Sequence, residues 1–475
     1  MRLRRPDRLP GGRDAPGRAS RAGRRRSCGR KRGRVLLASG AADRGRPRAP
    51  GFNHPSRAGA GSLRRSVDGR ALSPRRILYV HSSSGRYGAD RQLLLVASGL
   101  DRARYDPIVA LPDHGPLASD LMDAGVEVVA RPLSVLRRQN LNPLGLTRTL
   151  AAAGSDAIGL GSLIRRRRVA LVHSNTSVVL GGAAAAALHG IPHVWQVREI
   201  YSSFARLWPP YRLLLGTARA LPCVSEATAA QFNGRGRARV IHEALAFDAR
   251  REPKDNARVA LGLDPRFPVI AVLGRISDWK GQDVLVRALA EAPLRERGVV
   301  GLIAGEAWPG AEDRLEAVLG LARELGVADR LQLPGFRDDV NSIYGAADLI
   351  AVPSTAPDPL PGTAIESAAA GCAVIAAAHG GLPEIIRDRD TGRLVPPGDH
   401  RALADAAAEL LDDPAERERL GAAAAADVRE RFAPARLLAA VQDLYDEVLL
   451  SRPARAPARR SWRRYPSPGR PPRDR

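Results

Sequence analysis

The sequence predicts an α/β protein built from two units of similar size, each a parallel sheet whose strands are joined by helices. Three observations lead there. Short, almost wholly apolar runs recur between residues 77 and 450, separated by helix-like stretches; strands buried on both faces of a parallel sheet read this way. The alternation halts at a charged, turn-forming stretch, 248–264, and then restarts. The runs end repeatedly at Ser, Asn, Gly or charged residues, and ligands of open α/β sheets sit beyond the carboxyl ends of the strands.

In the first unit, Ile77-Leu78-Tyr79-Val80 leads into a Ser/Gly loop over 82–88, then a helix carrying Leu93, Leu94, Val96 and Ala97. Strands are expected at 107–111 and 126–129. Another, Leu171-Val172-His173, ends in the polar turn Ser174-Asn175-Thr176-Ser177, and runs at 193–197 and 220–224 follow. The apolar stretch 178–188 is dominated by Gly and Ala and is too short for a membrane helix, which needs about 20 residues; a tightly packed helix is expected. In the second unit the strands are 268–273, 299–303, 331–333, 349–352 and 373–376, with helices at 313–325 and 365–370. The expected partition is 77–250 for the first domain and 256–431 for the second. A last helix within 432–450 is expected to pack back on the first.

Charge is unevenly placed. The chain has 74 Lys and Arg against 50 Asp and Glu, a net charge of +24. Residues 1–76 carry +19 and residues 451–475 carry +8, so residues 77–450 carry −3. A nucleic-acid binder needs its basic face on the folded domain, so that class is set aside. Both tails are rich in Arg, Gly, Pro and Ser and are expected to be disordered. Residues 1–76 are either a basic arm for an anionic surface or a start codon read too far upstream in a GC-rich genome. The amino terminus lacks the apolar core of a secretory signal. The three cysteines, Cys28, Cys223 and Cys372, have no metal or redox spacing. The expected place is the cytoplasm, with peripheral contact on the inner face of the membrane through the tails.

Two stretches carry chemistry. In Asp358-Pro359-Leu360-Pro361-Gly362-Thr363-Ala364-Ile365-Glu366, two carboxylates stand eight positions apart around a loop that opens a helix near Thr363. A helix start offers free N–H groups and a positive dipole end, which suits a diphosphate; the carboxylates can accept hydrogen bonds from sugar hydroxyls. The alternative is a solvated loop Asp and an exposed helix Glu. The second stretch, Gly274-Arg275-Ile276-Ser277-Asp278-Trp279-Lys280-Gly281, follows a strand and places two cations five apart. The chain has only three lysines, Lys31, Lys254 and Lys280, against 71 arginines, so a lysine kept here hints at a compact point charge.

In these stretches and those that follow them, the chain closely resembles glycosyltransferase family 4 (group 1), retaining enzymes of the GT-B architecture, in which two Rossmann-like domains face a central cleft. The landmarks stand in family order: the Gly274–Gly281 loop, Gly335-Phe336-Arg337-Asp338-Asp339-Val340, Ala347-Asp348 through Ser354, Asp358 through Glu366, Gly371 through Ile375, Gly380-Gly381-Leu382-Pro383-Glu384, and Thr391 through Asp399. The resemblance covers about 77–450 and is densest over 268–400.

It implies transfer of a sugar from a nucleoside-diphosphate sugar to a hydroxyl acceptor, saccharide or lipid-linked, in cell-surface polysaccharide or glycolipid synthesis. Arg275 and Lys280 would hold the diphosphate with the N–H groups near Gly362 and Thr363. Glu366 would take the ribose hydroxyls, Asp358 the transferred sugar, Arg337 and Glu384 the rest of the donor pocket. On the first domain, Gly88 and Asp90 of the glycine-rich loop, His173 and Arg198 would face the cleft. No Asp-x-Asp segment is read as a metal holder, so the expected chemistry requires neither metal nor other cofactor. Asp358 stands where the family usually has Glu, and Arg198 near where many members have His. Those departures motivate the rival reading, a catalytically degenerate GT-B-like binding protein. A non-hydrolysing epimerase shares the architecture, but the paired carboxylates favour transfer.

Overall fold

The computed structural model describes residues 73–137, 140–201, 207–232, 236–307 and 310–450. The expected tails, apart from 73–76, and Cys28 lie outside the described residues.

The first half is a parallel sheet of β1 (Arg75–Val80), β2 (Tyr105–Leu111), β3 (Glu127–Ala130), β4 (Leu171–Ser174) and β5 (His193–Trp195), in the order β3-β2-β1-β4-β5. A parallel pair, β6 (Leu221–Cys223) and β7 (Ala238–Val240), continues it through bridges from Val194 to Ala220 and from Val197 to Cys223. The second half is a six-stranded parallel sheet of β8 (Val269–Leu273), β9 (Val300–Ala304), β10 (Leu331–Gly335), β11 (Leu349–Val352), β12 (Ala373–Ala377) and β13 (Arg393–Val395). Its order is β10-β9-β8-β11-β12-β13. Both sheets are doubly wound, and the strand order reverses beside β1 in one and β8 in the other. Two short strands, β7 and β13, escape the pattern reading because three residues with two apolar positions leave too little alternation to count.

Each central strand feeds two cores. Ile77 and Tyr79 of β1 face one cluster and Leu78 and Val80 the opposite one. Val269, Ala271 and Leu273 of β8 likewise part from Ile270 and Val272. Period-two geometry sends successive side chains to opposite faces, and helices cover both, so the strand has no polar side to show. Burying each large aliphatic residue contributes roughly 1.5–3 kcal/mol.

The chain leaves the first half after β7 and returns at Phe432. Its last helix, Pro434–Leu450, then lies on the first sheet, burying Leu437, Val441, Leu444, Tyr445 and Val448 in the cluster that holds Ile77 and Tyr79. Tyr445 is the anchor. Its hydroxyl donates to that of Tyr79 at 2.7 Å and lies 2.6 Å from Nδ1 of His173. The Tyr105 ring packs edge-on against it with centroids 5.7 Å apart. Of the two described cysteines, Cys223 and Cys372, both are free and buried, and burial pushes each thiol up to about 12.

Emptying the Tyr445 site tests this anchor. Tyr445→Ala is expected to lower stability by about 3–5 kcal/mol, the range for deleting a buried aromatic. Tyr445→Phe, which keeps the ring and loses two hydrogen-bond partners, should cost about 1–3 kcal/mol. Urea denaturation measures both.

Candidate functional site

A cleft of about 770 Å³ lies between the two halves, lined from both. Its walls are segments that follow the carboxyl ends of the strands, those after β1, β8 and β11 standing at the two reversal points, where an open α/β sheet places its ligands. From the second half come Arg275 and Lys280 after β8, Arg337 after β10, and Asp358, Gly362, Thr363 and Glu366 after β11. From the first come Arg86, Tyr87, Gly88 and Arg91 after β1, and Arg198 and Glu199 after β5.

The helix Gly362–Ala369 points its amino terminus into this space. Its cap position is Pro361, which offers no side chain to the first N–H groups, so those donors remain for whatever enters the cleft. The loop before it is set by close backbone approach. Gly381 donates its N–H to the Asp358 carbonyl at 2.8 Å. A Cβ at Gly380, which has φ +60, would come within 2.3 Å of that same oxygen, so only glycine permits the approach.

Lys280 reaches Asp358 at 2.6 Å, with Asp358 buried and Lys280 partly buried. Sequence spacing alone treats these as separate candidates; the fold makes them an ion pair at the cleft wall. Lys254, the other described lysine, pairs with Asp348 at 2.5 Å, which it shares with buried Arg258, so its retention is structural.

Glu366 accepts a hydrogen bond from the Tyr344 hydroxyl at 3.1 Å and lies 4.0 Å from Arg91 of the first half. Burial raises its carboxyl to about 7, against the pull of Arg91 and Tyr344. Arg275 sets its guanidinium over the Tyr87 ring at 4.3 Å from the centroid, a cation–π contact across the cleft. Burial lowers its basicity while Tyr87 and Asp90 oppose the loss. Arg337 is forked onto Asp339 at 2.7 and 2.8 Å. Arg198 donates to the Asn175 carbonyl at 2.8 Å and is ion-paired with Glu243; burial lowers it to about 10.

Three expected residues stand elsewhere. Asp90 is buried behind the loop and does not line the cleft. Its carboxylate accepts from His81 Nε2 at 2.8 Å, from the Tyr87 N–H at 2.8 Å and from Ser83. Burial opposes its ionisation, but these bonds outweigh burial and hold it below the usual range. His173 is turned into the core against Tyr79 and Tyr445, because alternation along β4 sends it to the face that the last helix covers. Burial lowers it to about 3, so it stays neutral. Glu384 points away from the cleft, its two oxygens taken by the Glu226 and Ala227 N–H groups and by His242. One Asp-x-Asp segment does exist, Asp388-Arg389-Asp390. Asp388 accepts from the Leu394 N–H and Asp390 from Arg387, and neither lines the cleft.

Sequence reasoning missed His81. It follows the β1 run directly, and Asn175 donates to its Nδ1 at 3.1 Å, which leaves Nε2–H for Asp90. Burial lowers it, against Asp90. Tyr87, Arg91 and Glu243 were missed as well: Tyr87 and Arg91 meet Arg275 and Glu366 only across the folded cleft, and Glu243 meets Arg198 only once the first half is folded. No group of three or more His, Cys, Asp and Glu suited to a metal ion occurs among the described residues. No described helix is long and apolar enough to cross a membrane.

Comparison with known proteins places this geometry. Residues 87–245 match the model described as glycosyltransferase family 4, and residues 253–427 match the model described as glycosyl transferases group 1. A D-inositol 3-phosphate glycosyltransferase of Mycolicibacterium smegmatis is 36% identical over 238 residues, 49% of this chain and 53% of the relative. A protein of the same name from Nocardia farcinica is 40% identical over 175 residues, 36% of this chain and 38% of that one. The chain thus spans about half the length, or less, of the curated relatives it matches. Among solved structures, Anabaena HepE in complex with UDP-glucose superposes with a TM-score of 0.67 at 25% identity, covering 78% of this chain and 99% of that one. Sucrose-phosphate synthase of Thermosynechococcus elongatus gives a TM-score of 0.63 at 22% identity, covering 79% and 99%. The shared fold is GT-B.

The Glu366 carboxyl supplies a pH test. Its folded value, about 7, lies above the ordinary 4.5, so the folded chain holds the proton more tightly than the unfolded one. Stability should therefore fall as pH rises from 4.5 to 7, by up to ~3 kcal/mol. Glu366→Gln should remove that part of the slope. Urea denaturation of both proteins at pH 5 and pH 8 reads the difference.

Proposed function

We propose that this chain, which belongs to the family 4, group 1 glycosyltransferases, moves a sugar from a nucleoside-diphosphate sugar to a hydroxyl acceptor with retention of anomeric configuration. The observation that carries the reading is the convergence at one cleft wall of two cations, an uncapped helix start and two carboxylates eight residues apart. Arg275, Lys280 and the first N–H groups of Gly362–Ala369 supply positive charge where a diphosphate leaving group develops negative charge. Such preorganised charge is the largest single source of rate in many enzymes. The reading needs no metal, since those groups carry the charge.

Glu366 takes the ribose hydroxyls, and Asp358 the hydroxyls of the transferred sugar. Asp is one methylene shorter than the family's usual Glu, and Lys280 holds its carboxylate in place, so the pair sets its reach. Arg337 flanks the nucleobase end. Arg198, Glu199 and Glu243 line the first-half wall, where the acceptor approaches. Closing the halves over the donor excludes water and limits hydrolysis. The UDP-glucose complex of the Anabaena neighbour makes a UDP-sugar the first donor to try. A saccharide or lipid-linked acceptor fits a cytoplasmic enzyme of surface glycan synthesis. Its basic tails, net +19 and +8, would add peripheral attraction to an anionic membrane of about 1 kcal/mol per basic residue near the surface.

A thermal-shift screen against UDP, GDP, ADP and their sugar conjugates tests the reading. A nucleotide at 100 times its Kd should stabilise the chain by about 2.7 kcal/mol. Lys280→Ala and Glu366→Ala should each abolish the shift. No shift with any nucleotide from a folded chain would sink the proposal.

A further inference from the structure

Glu384 stands in a place its sequence motif does not announce. The short helix Leu382–Ile385 belongs to the second half, yet it presses the Glu384 carboxylate against the first. Oε2 accepts from the Glu226 N–H at 2.8 Å and Oε1 from the Ala227 N–H at 3.0 Å. These are the first two amides of the helix Glu226–Ala229, which no intrahelical partner can satisfy; the Ser225 cap reaches only Thr228. His242 completes the set, its Nε2 2.9 Å from Oε2. Burial alone would raise the Glu384 carboxyl. The His242 bond and the two amides outweigh it and hold the group below its ordinary value, so it meets them as a carboxylate.

Both chain crossings between the halves converge on this helix. His242 lies on the outbound crossing, and its ring packs edge-on to Phe432 of the return crossing with centroids 5.5 Å apart. Leu245 donates its N–H to the Phe432 carbonyl at 2.9 Å. Arg431, beside Phe432, donates to the carbonyls of Glu384 at 2.7 Å and Ile385 at 3.1 Å. A charge-assisted bond to a backbone amide is shorter and about twice as strong as a neutral one, and here two such bonds join elements from opposite halves at the hinge itself.

We propose that Glu384 is the clasp that fixes the angle between the two halves, a positioning residue that touches neither donor nor acceptor. It rests on the glycosyl-transfer reading only for what the cleft is closed around. Arg275, Lys280, Asp358, Gly362 and Glu366 all belong to the second half, so a nucleotide can bind there with the clasp broken. Tyr87, Arg91 and Arg198 arrive from the first half, and they lose their register when the angle is free. The clasp therefore separates binding from turnover.

The test compares the full wild-type chain with Glu384→Ala, Glu384→Gln and His242→Phe by small-angle X-ray scattering, by UDP titration calorimetry and by turnover with the donor that the thermal screen selects. Glu384→Ala should enlarge the radius of gyration and broaden the distance distribution. It should lower kcat about tenfold, as hinge changes do, while the UDP Kd stays within about threefold, because distant sites act independently. Glu384→Gln, which keeps an oxygen acceptor for one amide, should restore part of the compactness, and His242→Phe should loosen it less than Glu384→Ala. If Glu384→Ala proves unfolded by circular dichroism, the other two variants carry the same comparison. Unchanged scattering with a large loss of UDP affinity would overturn the clasp and return Glu384 to the donor site. Unchanged scattering with unchanged affinity would overturn it too. If the wild-type chain takes no nucleotide, the transfer reading falls, and the scattering comparison still decides the clasp.

Discussion

A parallel strand can rejoin its sheet only through a crossover that carries the chain back to the starting end, so the carboxyl ends of all the strands of a parallel sheet emerge together. That constraint governs this molecule. Each half delivers its strand ends, with their loops and helix starts, to one side, and the two sides face each other across the cleft. The polar residues that follow β1, β5, β8 and β11 therefore meet although they are scattered over nearly 300 residues of sequence. Everything proposed for the site depends on that convergence, since no single segment holds both the cations and the first-half wall.

Local patterns made much of this legible. The central strands read clearly because both faces are buried and nothing polar interrupts β8 or the Ile77-Leu78-Tyr79-Val80 run of β1. The wall of the second half was legible for a different reason. Its residues lie in short contiguous loops, so Arg275 with Lys280, and Asp358 with Glu366, sit near one another in the chain as well as in space. The first-half wall was less so. Alternation decides which way a strand residue faces, and a reading that places a histidine at a strand end does not choose its face. His173 thus went to the core under Tyr445, while His81, one step beyond β1, went to Asp90. Glu384 shows the same limit from another side. Its motif marks a tight turn against Asp358, and only the folded chain shows that the carboxylate continues to the opposite half.

Two kinds of electrostatics share the structure. The cleft wall concentrates positive charge near a carboxyl that burial makes reluctant to ionise, Glu366. The supporting shell does the reverse. Asp90 and Glu384 keep their charge against burial because backbone amides and a histidine stabilise it. A site built for a migrating charge needs fixed dipoles around it, and these ionised carboxylates hold the loop before Arg91 and the hinge in place.

The central claim is that a diphosphate sits between Arg275, Lys280 and the start of the helix Gly362–Ala369. The most direct measurement is a crystal structure of the chain with the nucleoside diphosphate that binds it best. Phosphate oxygens are expected within hydrogen-bonding distance of both cations and of the Gly362 or Thr363 N–H, with the ribose at Glu366. A nucleotide bound with its phosphates on the first half, or away from that helix start, would contradict it.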